Sequence, residues 1–154
     1  VNPPARAAAA YLELETGGRY RFGAVSVEQD VIDDELLQRF VRFSAAHPEL
    51  HRFMVHEGSH DGPRLRWLVE KHIRPLFAAS TALIRAAVPG ANAEQLHYLI
   101  LGAAAHLFAV APEFERLTGR SPLSPEMVEA QAAAVVDLII DAARKQTPTK
   151  RNKR

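Results

Sequence analysis

The 154-residue sequence predicts an all-α protein, and three observations carry that prediction. Apolar residues recur at spacings of three and four from residue 33 to residue 145, which is the period of an amphipathic helix. No stretch alternates apolar and polar residues with the period of two that marks a half-buried strand. Proline and glycine divide the apolar runs at positions typical of helix ends. We therefore expect a bundle of about five to six helices.

Composition restricts the class of protein. With 47% hydrophobic residues the chain can bury one core, and its length fits a single domain. It contains no cysteine, so disulfides, thiol nucleophiles and cysteine-ligated metals are excluded, and a reducing, cytoplasmic location is expected. The longest apolar stretch, LILGAAAHLFAVA, is interrupted by His106 and is too short to span a bilayer, so neither export nor membrane insertion is expected. The net charge of +1 does not indicate a nucleic-acid partner for this chain.

The chain divides into three parts. Residues 1–30 are irregular, with a short helix expected near Ala7 to Glu15 and loop after it. Residues 31–147 form the helical domain. Residues 148–154 form a basic tail, which we expect to be disordered.

The first helices are predicted from their apolar spacing and their prolines. Leu36, Leu37, Phe40 and Val41 recur at helical spacing from Asp33 onward. A second helix starts at Pro48, and Gly58, Gly62 and Pro63 end it. The third runs from Arg64 to Val88, where Pro75 should kink it or divide it in two.

Two long helices follow. Asn92 is placed to cap a helix from Ala93 to Leu117, whose end Pro112 should bend. Ser124 should cap the last helix, from Pro125 to about Lys145.

The stretch His56-Glu57-Gly58-Ser59-His60 matches the H-E-x-x-H pattern of zinc peptidases. That chemistry needs a continuous helix, whereas Gly58, Ser59 and the following Asp-Gly-Pro should end the helix here. We therefore expect that the two histidines do not share a face. The extended pattern also lacks its third ligand. An accidental match is favoured, and a zinc hydrolase using His56, Glu57 and His60 is kept as an alternative.

The other histidines give no clear metal or catalytic site. His47 and His51 have the spacing of a metal clamp, but Pro48 should force His47 out of helical geometry. His72 and His106 lie in apolar helices, where a histidine is more often a core residue than a ligand, although either could be the polar contact of a pocket. No catalytic triad order, nucleophile elbow or phosphate loop is present. We expect neither an enzyme nor a bound cofactor.

Four segments, taken in order, resemble a known family: LQRFVRFSAAHPELHRFMVHEG, PRLRWLVEKHIRPLF, LHYLILGAAAHLFAVAPEFERLTG and SPEMVEAQAAAVVDLIIDAAR. Over about residues 33–145 they resemble the C-terminal regulatory domain of TetR-family transcriptional regulators, many of them repressors. The resemblance implies a ligand cavity among the middle helices and a homodimer formed through a four-helix bundle by the last two long helices.

In that family, operator DNA is bound by an N-terminal helix-turn-helix domain of roughly 45 to 50 residues. Residues 1–30 are too few and too irregular for it. We therefore expect a truncated regulator, a relative that has lost its DNA reader, or a sequence from which disordered residues have been left out. Operator DNA is expected as a partner only through a helix-turn-helix domain that is not visible in this chain.

A small hydrophobic effector is the expected ligand, because aromatic and flexible side chains would wall such a cavity and a few polar groups would orient the ligand. The predicted ligand-binding residues are Phe40, Phe43, Met54, Trp67, His72, Phe77, Tyr98, His106 and Phe108. Two alternatives are that these residues only fill the core, and that the chain is a helical interaction module without a ligand.

The homodimer is also predicted from the residues themselves. The helices at about 93–117 and 125–145 are apolar on two sides, and two buried faces require two partners. The predicted interface residues are Leu101, Gly102, Ala105, Ala109, Met127, Ala130, Ala134 and Asp137.

Overall fold

The computed structural model describes residues 11–14, 18–21 and 34–146, with side chains over 34–141. The elements are β1 Tyr11–Leu14, β2 Gly18–Arg21, α1 Asp34–Ala46, α2 Pro48–Gly58, α3 Pro63–Leu68, α4 Arg74–Ala87, α5 Ala93–Ala109, α6 Ala111–Thr118 and α7 Pro125–Gln146, with a π-helical turn Val69–Ile73 between α3 and α4. From residue 34 onward the described chain is helical, and the all-α prediction is confirmed.

The expected short helix near Ala7 to Glu15 is wrong over the residues described there. β1 and β2 pair antiparallel, with Tyr11 opposite Arg21 and Leu14 opposite Gly18. The expectation that no stretch alternates is also wrong here, since two short alternating runs lie on either side of Gly17 and Gly18, which is a hairpin signal. The remainder of segment 1–30 and the basic tail 148–154 lie outside the described residues.

Proline sets the boundaries of the first helices as predicted. Pro48 occupies the first turn of α2, and His47 before it has φ −132° and ψ 56°, which is outside helical geometry. Pro75 divides the third predicted helix, because the backbone widens into the π-helical turn just before it. There the amide of Arg74 donates to the carbonyl of Val69, five residues back. Pro75 cannot donate, and the wider turn accommodates its ring.

The ends of the long helices also follow local chemistry. The Asn92 side chain accepts a hydrogen bond from the amide of Gln95 at 3.0 Å, which confirms the predicted N-cap of α5. The Ser124 hydroxyl accepts from the amide of Met127 at 3.4 Å at the start of α7. The helix predicted from Ala93 to Leu117 is two helices, since the chain turns at Val110 and α6 is bent from α5 by 66°.

No single helix among the described residues is long and apolar enough to cross a membrane, and α5 and α6 meet that test only as a bent pair.

The core lies where α1, α4, α5 and α7 meet. Phe108 of α5 is fully buried and packs in one cluster with Val41 of α1, Ile84 of α4 and Val135 of α7. At the surface, the Arg42 guanidinium donates twice to the Glu129 carboxylate, both at 2.7 Å, and so joins α1 to α7.

Candidate functional site

The nine predicted ligand residues are spread over several parts of the bundle. Phe108 fills the core, and Phe40 packs against it. Phe43 contacts the His47 ring with centroids 4.8 Å apart, at the end of α1. Met54 is half-buried on α2.

The other five lie at three places. Trp67, which is 51% exposed, meets His72 edge-on at 5.1 Å across the π-helical turn. Phe77 and Tyr98 lie 6.3 Å apart between α4 and α5. His106 is exposed, so the interpretation of it as a core residue is wrong.

His106 does line an open cleft between α2 and the end of α5, with a volume of about 370 Å³. The cleft residues are His51, Arg52, Val55, His56, Ser59, His106, Ala109 and Val110. The His51 ring meets the His106 ring edge-on at 6.3 Å. Burial, and secondly the charge of His106, lower the pKa of His51, which favours the neutral imidazole. The cleft thus combines apolar walls with imidazole groups that can orient a small molecule.

His97 takes part in a contact that the sequence analysis missed. Its Nδ1 lies 2.6 Å from the Ser80 hydroxyl, and its ring meets Phe77 edge-on at 5.0 Å, so it links α5 to α4. Burial lowers the pKa of His97. Ser80 and His97 lie about two helical turns before and after the Pro89–Gly90 turn. Antiparallel helices joined by a short connection bring positions at equal distances from the turn together. Their similar distance from the turn is therefore the signal that could have predicted this pair.

The H-E-x-x-H stretch has an unexpected geometry. The rings of His56 and His60 lie 5.2 Å apart, so the expectation that they do not share a face is wrong. Ser59 has φ −86° and ψ −5°, close to helical values, so the chain continues the turn through His60. The Glu57 carboxylate, however, pairs with Arg64 at 3.0 Å and is largely buried. Among the described residues no group of three or more histidines and carboxylates could hold a metal ion. The stretch therefore lacks the ligand set of a catalytic zinc site.

The side of α5 and α7 turned away from the core is apolar and exposed. Tyr98, Leu99 and Leu138 are 65%, 60% and 60% exposed. We call this surface the outer face; its members are Tyr98, Leu99 and Gly102 on α5 and Ala130, Ala133, Ala134 and Leu138 on α7. The Gln131 side chain donates to the Ala103 carbonyl at 2.7 Å, which fixes where the two helices cross.

The predicted interface residues fall on both sides of these helices. Gly102, Ala130, Ala134 and Asp137 are exposed, and Leu101 and Met127 are half-buried. Ala105 and Ala109 are only 3% and 8% exposed within the single chain, so their assignment to a surface that meets a partner is corrected. They lie on the same side as Ala104 and Phe108, which face the core, because the predicted face of α5 was rotated by about one residue.

A family model described as "Tetracyclin repressor-like, C-terminal domain" matches residues 34–139. The match begins at the first residue of α1 and ends within α7, and so includes every helix that contributes to the core. The chain belongs to this family, and helices α1 to α7 form the C-terminal domain of a TetR-family regulator. No curated protein and no solved structure matches the chain.

Proposed function

We propose that this domain senses a small, largely apolar effector and forms a homodimer, and that it thereby controls DNA binding by a helix-turn-helix domain. The observation that carries the proposal is the family match over residues 34–139. Operator DNA would be contacted through the helix-turn-helix domain, since helices α1 to α7 correspond to the regulatory part alone. Function in the cytoplasm accords with this role.

The outer face supports the homodimer. Tyr98, Leu99 and Leu138 expose large apolar side chains, and alanines on α7 would let two backbones approach closely. A two-fold axis beside α5 and α7 would place the same pair of helices from a second copy against them, which gives a four-helix bundle. We expect the two copies to bury more than about 1,000 Å² in total, as a stable specific interface requires.

Sedimentation velocity at micromolar concentration tests the dimer. The wild-type chain should sediment as a dimer, and Ala134→Arg should sediment as a folded monomer, because it places an unpaired charge in the interface. Ala79→Arg is the matched control, since Ala79 is an exposed alanine on α4, which is not one of the two helices that form the outer face. A wild-type monomer, or a dimer that survives Ala134→Arg, would refute this arrangement.

For the effector we propose the cleft between α2 and α5. Of the predicted ligand residues, His106 lies in it, and Val55, Ala109 and Val110 supply apolar walls. Its volume of about 370 Å³ falls within the range of small-molecule sites, roughly 300–1,000 Å³. Phe108 and Phe40 then stabilise the bundle behind the cleft.

A thermal-shift screen with apolar compounds tests this site. Compounds that raise the melting temperature of the wild-type chain should lose most of that shift in His106→Ala and keep it in His72→Ala, whose ring lies at the π-helical turn instead. If no compound stabilised the protein, the alternative of a ligand-free interaction module would be favoured. The ion pair between Glu57 and Arg64 argues against the zinc-hydrolase alternative. It engages the carboxylate that would serve as general base in the H-E-x-x-H stretch.

A further inference from the structure

His56 and His60 form a close pair at the end of α2. His56 lies in the last turn of the helix and His60 lies two residues beyond its end, yet their ring centroids are 5.2 Å apart. Two imidazoles that share one tetrahedral metal ion, with metal–nitrogen distances of about 2.0–2.1 Å, have ring centres roughly 5 Å apart. We propose that His56 and His60 bind one divalent transition-metal ion at the edge of the cleft between α2 and α5, which His56 also lines.

The hydrogen bonds of His60 favour metal binding. Nδ1 of His60 lies 2.9 Å from the carbonyl oxygen of His56, and a carbonyl can only accept, so Nδ1 carries the proton. Nε2 then carries the lone pair that a metal ion needs. In protein metal sites the second ring nitrogen of a histidine ligand commonly donates to such a carbonyl, which fixes the tautomer and the orientation of the ring. The Ser59 hydroxyl, which donates to the same carbonyl at 2.8 Å, also contacts this nitrogen at 3.0 Å.

The helix dipole favours a cation at this site, and the pairing of Glu57 with Arg64 disfavours hydrolysis by this stretch. The site lies at the C-terminus of α2, where the helix dipole presents its negative end. The Glu57 carboxylate is engaged by Arg64 on α3, so a bound ion would have no adjacent general base. The pair is thus suited to bind an ion rather than to activate a water molecule for catalysis.

A second histidine pair fits a shared ion less well. The rings of His51 and His106 are 6.3 Å apart and belong to different helices. The His56–His60 site supplies two protein ligands, and water would complete the coordination. Imidazole ligands favour ions in the order Cu²⁺, Ni²⁺ and then Zn²⁺ over Mg²⁺ or Ca²⁺. A bound ion would tie the turn at residues 59–62 to the last turn of α2.

Isothermal titration of Ni²⁺ into the full chain, without a polyhistidine tag, tests the site. We expect one ion per chain, and His56→Ala and His60→Ala should each weaken binding by more than about tenfold, a loss seen even for groups that only support a metal ligand. His72→Ala is the matched control and should bind like wild type, since its ring contacts Trp67 at the π-helical turn and not the His56–His60 pair. Glu57→Gln should also keep the affinity.

Amide exchange gives a second readout that does not depend on the affinity. Saturating Ni²⁺ should slow exchange at residues 57–62 in the wild-type chain and leave His60→Ala unchanged. Equal binding by wild type and His60→Ala, or an equal loss in His72→Ala, would overturn the assignment. Either result would leave the dimer and effector proposals intact, because neither involves His60.

Discussion

The two sides of α5 contrast sharply in environment although both are apolar. On one side Ala104 and Phe108 are fully buried, while on the other Tyr98 and Leu99 are 65% and 60% exposed. An isolated exposed leucine is ordinary, but two adjacent large hydrophobic side chains on a core helix, matched by exposed alanines and Leu138 on α7, are typical of an interaction surface. Hydrophobicity alone therefore does not separate the core of this protein from its proposed interface.

The largest difference in folding stability should appear when a charge is placed first on the buried side of α5 and then on the outer face. Ala105→Arg would bury an unpaired guanidinium against the core and should reduce the free energy of unfolding by several kcal/mol, a large part of the stability of a typical domain. Ala134→Arg should leave the folded protomer intact and act only on association. Urea unfolding followed by circular dichroism, together with sedimentation, separates the two outcomes. Similar losses of folding stability in both variants would contradict the distinction between the two sides.

Truncation of a large side chain should also cost more stability in the core than on the outer face. Phe108→Ala should destabilise the protein by about 3–5 kcal/mol, because it removes a fully buried ring and leaves a cavity. Leu138→Ala, measured in the monomeric Ala134→Arg background, should change stability by less than about 0.5 kcal/mol, as surface replacements do. The measurement is again the free energy of unfolding in urea. A large cost for Leu138→Ala in that background would mean that its side chain is covered within one chain.

Local chemistry explains how much of the fold could be predicted. The cap at Asn92 and the break before Pro75 depend on a few neighbouring residues, and both were predicted. The orientation of α5 was not, because a helix that is apolar nearly all round gives its hydrophobic pattern little direction, and Ala105 was placed on the wrong side. The hairpin of β1 and β2 was missed because the glycines between its two alternating runs were interpreted only as loop.

The candidate sites were less predictable than the fold, since they depend on contacts between helices. His51 meets His106, and Ser80 meets His97, across separations in the sequence that no local pattern reveals. The His56–His60 pair depends on one backbone conformation, at Ser59, where the sequence indicated a helix end. The family resemblance predicted the class of domain, because the order of the four segments can be recognised in the sequence without knowledge of tertiary contacts.

Acidification should lower the free energy of unfolding by a smaller amount, through the partly buried histidines His97 and His51. Because the pKa of His97 is lowered in the folded protein, the unfolded chain binds its proton more readily. The stabilisation is complete above the ordinary histidine pKa of about 6.5 and is lost as the pH falls through the lowered folded value, by at most about 1.4 kcal/mol per pH unit for one group. His97→Gln can keep a hydrogen bond to Ser80 and should flatten the decline in unfolding free energy between pH 7.5 and pH 5.5. His51, whose pKa is also lowered, should account for part of the remaining slope. A His97→Gln profile parallel to that of wild type would show that this ring does not contribute.

The smallest effect should be that of the ion pair between α1 and α7. Hydrogen bonds from Arg42 lower the pKa of Glu129, so this stabilisation is present above the ordinary glutamate pKa of about 4.3 and is lost as the pH falls through the lower folded value. Both side chains are about half exposed, at 45% and 57%, and water and salt weaken their attraction. Glu129→Gln should therefore lower the free energy of unfolding slightly at pH 7, less so in high salt, and progressively less as the pH falls through the lowered folded pKa of Glu129. Glu115→Gln, an exposed position on α6, is the control and should show no such pH dependence in its difference from wild type. Unlike the apolar outer face, this contact lies within one chain, so a shift in the dimer equilibrium caused by Glu129→Gln would show that the proposed interface extends to α1.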